Sequence, residues 1–251
     1  MAINVNSVYK TVLLILNKEQ RGYMTPDEFN KTATKVQLDI FEQYFDDLNQ
    51  QLRVPQADFD YSNRQIDIDD KIETFKCLGN CTYLTSKFRL PTTDILSGGT
   101  TVVYDDAPTA SQFAFYRLGT VVYGITNEIE LQRLQRNEFY NIDRSDLTAP
   151  SKNFPVYLYE SGKITVKPDS INQNVKASFL RKPKNVIWNF TSNNGYYEFT
   201  ATGSQDFEIN TSEQTNVINR ILLYAGVVVQ DPTIIQLAAQ QVNQEEQNAK
   251  S

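Results

Sequence analysis

The sequence predicts an α+β fold: a helical bundle built from the N- and C-terminal segments, with an antiparallel β-rich domain in the middle. Three observations predict it. Residues 25–53 carry apolar side chains at helical spacing, residues 77–210 are dense in Thr, Val, Tyr and Phe between turn residues, and residues 211–251 return to helical spacing. The expected division is 1–76 for the first part of the helical body, 77–210 for the β-rich region with an inserted helix near 127–140, and 211–251 for helices packing back on the body. With 40% apolar and 22% charged residues, 251 residues can bury the core of one large or two small domains.

Asn6 or Ser7 can cap a first helix reaching about Asn17, with Val5, Val8, Val12, Ile15 and Leu16 as its apolar stripe. Gly22 stops it, and Thr25-Pro26 starts the next. Glu28, three residues after Thr25, completes a capping-box pattern. Phe29, Ala33, Val36, Ile40, Tyr44, Leu48 and Leu52 then form a stripe, widened by Phe41 and Phe45, which suits packing against more than one neighbour. The corner between these helices holds Lys18, Glu19, Gln20, Arg21 and Tyr23. It reads either as a solvated turn or as a contact corner for a partner.

Beyond Val54-Pro55 lies an acidic stretch. Asp58, Asp60, Ser62 and Asp69 fall at calcium-loop offsets, but Asn63 replaces the turn glycine and Asp69 the bidentate glutamate, so a solvated acidic loop is expected. A short helix is expected near Asp69 to Lys76. CTYLTSKFRLP reads as one strand ended by Pro91, TVVYDD as a short strand, and SQFAFYRLGTVVYGI as two strand-like runs around Gly119. Thr126 can cap the inserted helix, which carries Leu131 and Leu134. PVYLYESGKITVKP is a hairpin turning at Glu160-Ser161-Gly162-Lys163. A strand from Asn174 follows, interrupted at Lys182-Pro183-Lys184, and NGYYEFTATGSQDFEI is expected to complete the sheet. Arg181, Lys182 and Lys184 read as a basic edge that discourages unwanted pairing. Thr211 or Ser212 can cap a helix with Val217, Ile218, Ile221, Leu222 and Ala225, and Asp231-Pro232 restarts or kinks it.

The chain has no histidine, which removes Ser-His and Cys-His nucleophile pairs and the commonest transition-metal ligand. Cys77 and Cys81 are spaced CxxxC, too few for a zinc site of Cys and His, and read as free thiols. No phosphate loop is present. A net charge of −6 disfavours general binding to nucleic acid or anionic membrane. No secretory leader or membrane-spanning run is recognisable. No catalytic residue, cofactor or metal is expected, and the chain reads as a protein other than an enzyme.

The opening INVNSVYKTVLLILNKEQRGYMTPDEFNKTATKVQLDIFEQYF resembles the N-terminus of virion head–tail connector proteins of crAss-like and related short-tailed phages of Bacteroidetes. PSKNFPVYLYESGKITVKPDSI, LRKPKNVIW and LLYAGVVVQDP resemble further stretches of that group, so the likeness runs along nearly the whole chain, and NKEQRGYMTPDEFN is its most specific part. The resemblance implies a ring or adaptor subunit below the portal, in about a dozen copies. It implies contacts with the portal and neighbouring ring proteins, transient passage of genomic DNA without sequence-specific binding, a place in the virion, and no membrane. The alternatives are a receptor- or glycan-binding tail module, with Tyr157, Tyr159, Tyr196 and Tyr197 as its aromatic signature, another minor virion protein, or a carboxylate-based hydrolase.

Overall fold

The computed structural model describes residues 2–18, 24–51, 64–104, 109, 111–144, 147–193, 196–229, 236, 239–244 and 247. The mixed helix and strand content is that of an α+β protein. Two compact units are present: residues 1–74 with 183–251, and residues 75–182. The second unit ends at Lys182, and the strands that continue to Asn210 belong to the first unit.

The first unit opens with strand β1 (Ala2–Ile3) and helix α1 (Val5–Lys18). Asn4, two residues earlier than expected, caps α1: its side-chain oxygen accepts from the Ser7 amide at 3.0 Å. Val5, Val8, Val12 and Leu16 are buried as the stripe required. Tyr9 joins them, while Ile15 is exposed. Helix α2 (Pro26–Gln51) has the expected capping box. The Thr25 amide donates to Glu28 Oε2 at 2.9 Å, and the Glu28 amide to Thr25 Oγ1 at 3.4 Å. The hydrogen bonds from Thr25 hold the Glu28 carboxyl below the usual carboxylate range. Phe29, Ala33, Val36, Ile40, Phe41 and Tyr44 are all buried. Helix α3 (Arg64–Glu73) begins and ends earlier than expected: Ile68 and Ile72, four apart, set its buried side, and Lys76 already belongs to a strand. The calcium-loop positions 58, 60 and 62 lie outside the described residues.

The second unit holds β2 (Lys76–Asn80), β3 (Thr82–Leu84), β4 (Lys87–Arg89), β5 (Thr93–Asp94), β6 (Thr100–Val103), β7 (Phe113–Tyr123), β8 (Ile129–Glu130), β9 (Gln132–Arg133), α4 (Arg136–Asp143), β10 (Val156–Glu160), β11 (Lys163–Lys167) and β12 (Val175–Arg181). One sheet runs β3-β4-β11-β10-β9; the other runs β2-β12-β7-β6-β5, with β8 on β7. Two pairs, β6–β7 and β9–β10, are parallel, so the region is not purely antiparallel. Phe88, Tyr157, Ile164 and Val166 from the first sheet meet Leu118, Val121, Val175 and Ala177 from the second in one core.

Several segments depart from the one-dimensional reading. CTYLTSKFRLP is two strands, because Thr85 adopts a left-handed φ of 54° and turns β3 back onto β4. β7 is one long strand. Gly119 lies where Gly119 and Thr120 together oppose Ser178, and a Cβ there would stand 2.7 Å from the Ser178 hydroxyl. The inserted helix is shorter than expected, since Ile129–Glu130 and Gln132–Arg133 pair as strands and Leu131 between them enters the sandwich core. α4 starts after Gln135, whose amide donates to Glu138 at 3.3 Å, so Thr126 caps nothing. The β10–β11 hairpin has the expected register, with Ser161 and Gly162 both at positive φ in its two-residue turn.

The second sheet closes on itself through a side chain. Asp94, fully buried, accepts from the Leu78 amide at 3.0 Å, and the Ile95 amide donates to the Leu78 carbonyl at 2.8 Å. The same carboxylate takes the amides of Leu96 and Ser97. Gly79 permits this approach: an added Cβ would lie 2.4 Å from both Pro91 Cβ and the Thr93 carbonyl.

The chain then returns to the first unit as an extended segment, followed by β13 (Phe190–Asn193), β14 (Tyr196–Phe199), β15 (Phe207–Asn210), a 3₁₀ turn (Thr211–Glu213) and α5 (Gln214–Val229). β13 and β14 form a separate hairpin, and β15 pairs with β1; neither extends the sheets of the second unit. Asn210, not Thr211 or Ser212, supplies the cap, accepting from the Ser212 amide at 3.2 Å. Val217, Ile221, Leu222 and Ala225 are buried as expected. Arg220 reaches Gln43 at 2.6 Å and Tyr224 reaches Asp39 at 2.8 Å, tying α5 to α2. Asp231-Pro232 lies outside the described residues.

Residues 184–188 explain why the boundary falls at Pro183. Asn30, Thr34 and Gln37, on one line along α2, bond the backbone of Trp188, Val186 and Lys184 in turn. The Trp188 amide donates to Asn30 Oδ1 at 2.8 Å, the Val186 amide to Thr34 Oγ1 at 3.1 Å, and Gln37 Nε2 to the Lys184 carbonyl at 2.7 Å. One helical turn advances about 5.4 Å and two extended residues about 6.7 Å, close enough for three successive matches. Gln37 also accepts from the Glu208 amide at 2.8 Å, and Glu208 accepts from the Lys184 amide at 2.8 Å.

Two substitutions test these contacts. Gly79→Ala is expected to cost about 1–3 kcal/mol through overpacking; an unchanged urea midpoint would remove the close approach as a constraint. Gln37→Ala removes two bonds to half-buried backbone and is expected to cost about 1–3 kcal/mol, read by the same unfolding measurement.

Candidate interaction surfaces

The candidate contact corner at the end of α1 lies outside the described residues for Glu19, Gln20, Arg21 and Tyr23. Lys18 is the last residue of α1. The basic-edge reading is corrected. β12 lies between β2 and β7, so Arg181 is not at an edge. Its side chain is 5% exposed, with the guanidinium 4.3 Å from the centroid of Phe113 and 5.4 Å from that of Phe75. Such stacking suits a weakly hydrated, planar cation. Lys182 continues β12's pairing by donating its amide to the Ala114 carbonyl at 2.8 Å, and the backbone of Lys184 belongs to the α2 contact. The three residues do not form one basic surface.

The four candidate aromatics also divide. Tyr157 is buried in the sandwich, its phenol raised by burial, and Tyr159 is half-buried beneath the Arg133 guanidinium. Tyr196 and Tyr197 belong to the other unit, on the β13–β14 hairpin, where Tyr196 is 77% exposed. Below them the rings become core: Tyr197 packs edge-on to Phe190, Phe190 stacks on Trp188, and Trp188 meets Tyr9 at 4.3 Å between centroids.

The connector between α4 and β10 carries a surface the sequence did not announce. Ile142, Leu147, Pro150, Phe154, Pro155 and Val156 line a groove of about 550 Å³ together with the polar Glu130, Gln132, Thr148, Ser151 and Asn153. Leu147 is 95% exposed and Phe154 79%. A tight turn holds Phe154 out: its amide donates to the Ser151 carbonyl at 3.1 Å and to the Ser151 hydroxyl at 3.3 Å. Two large apolar side chains held in water beside a groove of mixed lining make this a candidate contact surface. The available signal was Leu147 and the Phe154-Pro155 pair in a connector.

Cys77 and Cys81 are buried thiols not joined by a disulfide, in two separate clusters: Cys77 among Val102, Phe113 and Phe179, Cys81 in the sandwich core. Burial pushes the Cys81 thiol up to about 12. Among the described residues, no group of three His, Cys, Asp or Glu gathers to hold a metal, and no helix is long and apolar enough to cross a membrane. A scan against protein-family models finds no match, and a search of curated proteins finds none.

In the folded protein Cys81 is expected to react with a soluble thiol reagent at pH 8 at least a hundredfold more slowly than after denaturation, since the thiolate is scarce and covered. Equal rates in both states would show that the site is open.

Proposed function

We propose that the chain is a structural virion subunit that assembles into a head–tail connector ring below the portal. The likeness of its sequence to that group, from INVNSVYKTVLL to LLYAGVVVQDP, is the observation that carries the reading. The α+β fold is compatible with it, and the exposed groove at Phe154 offers a place for a neighbouring subunit. In this reading α1, α2 and α5 form a helical bundle as the rigid body, and the β-rich unit carries contacts at the ring's sides or faces. Repetition of one heterologous contact closes a ring when its rotation closes, here in about a dozen copies. Net negative charge suits a passage through which DNA slides without sticking. The work is mechanical, and the reading assigns no catalysis and no cofactor.

Tyr196, exposed at the hairpin, favours a second reading as a glycan- or receptor-binding tail module. Glycan-array binding by the isolated protein, lost in Tyr196→Ala, would favour it over the ring.

Quantitative mass spectrometry of purified particles tests the proposal. About a dozen copies, in parity with the portal, are expected; hundreds of copies, or none, would overturn it. A variant carrying Phe154→Asp and Leu147→Asp is expected to fold normally, by circular dichroism, yet enter particles at under about a tenth of the parent level, because a charge cannot be buried unpaired in an apolar contact.

A further inference from the structure

We infer that Lys87, Arg89 and Lys163 form a docking stripe for the acidic outer side of α3 on a second copy of the chain. The inference rests on the ring reading and specifies one contact within it. On β4, Phe88 points inward and pairs in register with buried Ile164, so Lys87 and Arg89 point to solvent. Arg89 lies directly opposite Lys163 of β11, and Lys87 opposite Leu84 of β3. All four are exposed and share one side of the sheet.

Like charges directly opposite one another destabilise an antiparallel pair. Some cations elsewhere are paired: Lys71 with Glu213 at 2.6 Å, Arg136 with Glu160 at 2.6 Å, Lys176 with Glu128 at 2.7 Å, and Lys167 with Asp169 at 3.0 Å. Lys87, Arg89 and Lys163 form no ion pair among the described residues. The stripe therefore keeps an unfavourable juxtaposition that an acidic partner surface would relieve.

The chain also supplies a surface of matching chemistry. Ile68 and Ile72 hold α3 in its own unit, and Lys71 is committed to Glu213. Asp67, Asp70 and Glu73 remain exposed, with Ile66 exposed beside them. Ile66, Asp70 and Glu73 are four and three residues apart, so they line one side of the helix, and Asp67 adjoins Asp70. Three carboxylates and an isoleucine meet three cations and a leucine. The two surfaces differ, so the contact is head-to-tail, the kind that builds rings. A phosphate backbone fits less well: three cations beside an exposed leucine are a small footprint on a chain of net charge −6.

The test uses two charge-reversed full-length variants: K87E/R89E/K163E, with the stripe made acidic, and D67K/D70K/E73K, with the helix made basic. Self-association is followed by sedimentation velocity at low ionic strength, with circular dichroism confirming each fold. The parent is expected to associate, and salt to weaken it. Each variant alone is expected to associate at least about tenfold more weakly. Mixing the two is expected to restore association, because each stripe then faces a helix of opposite sign. Parent-like association of either variant alone, no recovery on mixing, or a parent that stays monomeric would overturn the inference. So would duplex-DNA binding by the parent that the stripe variant loses without any change in self-association. The ring itself falls only on particle copy number, so the two failures are distinguishable.

Discussion

The first unit depends on the backbone of residues 184–188 finding hydrogen-bond partners inside a helical environment. An extended segment beside a helix normally leaves every second amide and carbonyl without a partner, a cost of about 1–3 kcal/mol for each such buried group. Here the side chains of Asn30, Thr34 and Gln37 stand in for a neighbouring strand. On the other side, the Ile187 amide and carbonyl exchange bonds with Gln205. With both sides satisfied, Trp188 can be delivered into the core against Tyr9, its indole N–H donating to Asn6 at 3.1 Å. One polar line on α2 thus fixes the position of the aromatic core, of the β13–β14 hairpin that stacks on it, and, through Glu208, of the strand that pairs with the chain's first residues.

The second unit solves the same problem with a carboxylate. The order β2-β12-β7-β6-β5 leaves two edges, and open edges invite pairing with other chains. Asp94 joins them by accepting the Leu78 amide, while Gly79 lets the backbones approach. Inside this closure sits Arg181, whose cation rests on aromatic faces. In both units, buried polar groups with defined partners set the register that apolar packing alone would leave degenerate.

These frameworks also hold side chains out in solvent. Leu147 and Phe154 stand in water although the chain holds many buried aromatic and aliphatic groups, and the Ser151 turn keeps Phe154 there. The cations of β4 and β11 are likewise set side by side by strand register. Exposed apolar side chains and a charged stripe are in general complementary means of recognition: the first supplies area, the second orientation and rate.

The sequence by itself determined the local elements whose signals lie within a few residues. The Thr25-Pro26 start with Glu28, the buried stripe from Phe29 to Tyr44, the β10–β11 hairpin with its Ser161-Gly162 turn, and the buried side of α5 were all legible, because caps, turns and periodic apolar faces are short-range. Tertiary structure decided what depends on partners far along the chain. Leu131 and Leu134 have helical spacing, but their amides bond to Val121 of β7 and Tyr157 of β10, and their side chains enter two separate cores. Arg181 looked like an edge charge until β2 and β7 enclosed its strand. Asn30, Thr34 and Gln37 looked like ordinary polar helix residues, spaced four and three apart, and their role appears only when residues 184–188 lie alongside. The two segments are separated by roughly 150 residues in sequence, beyond the reach of any local pattern. A hydrogen-bond donor or acceptor carries no mark of which distant group will satisfy it. Apolar spacing tells which side is buried, and the fold alone tells against what.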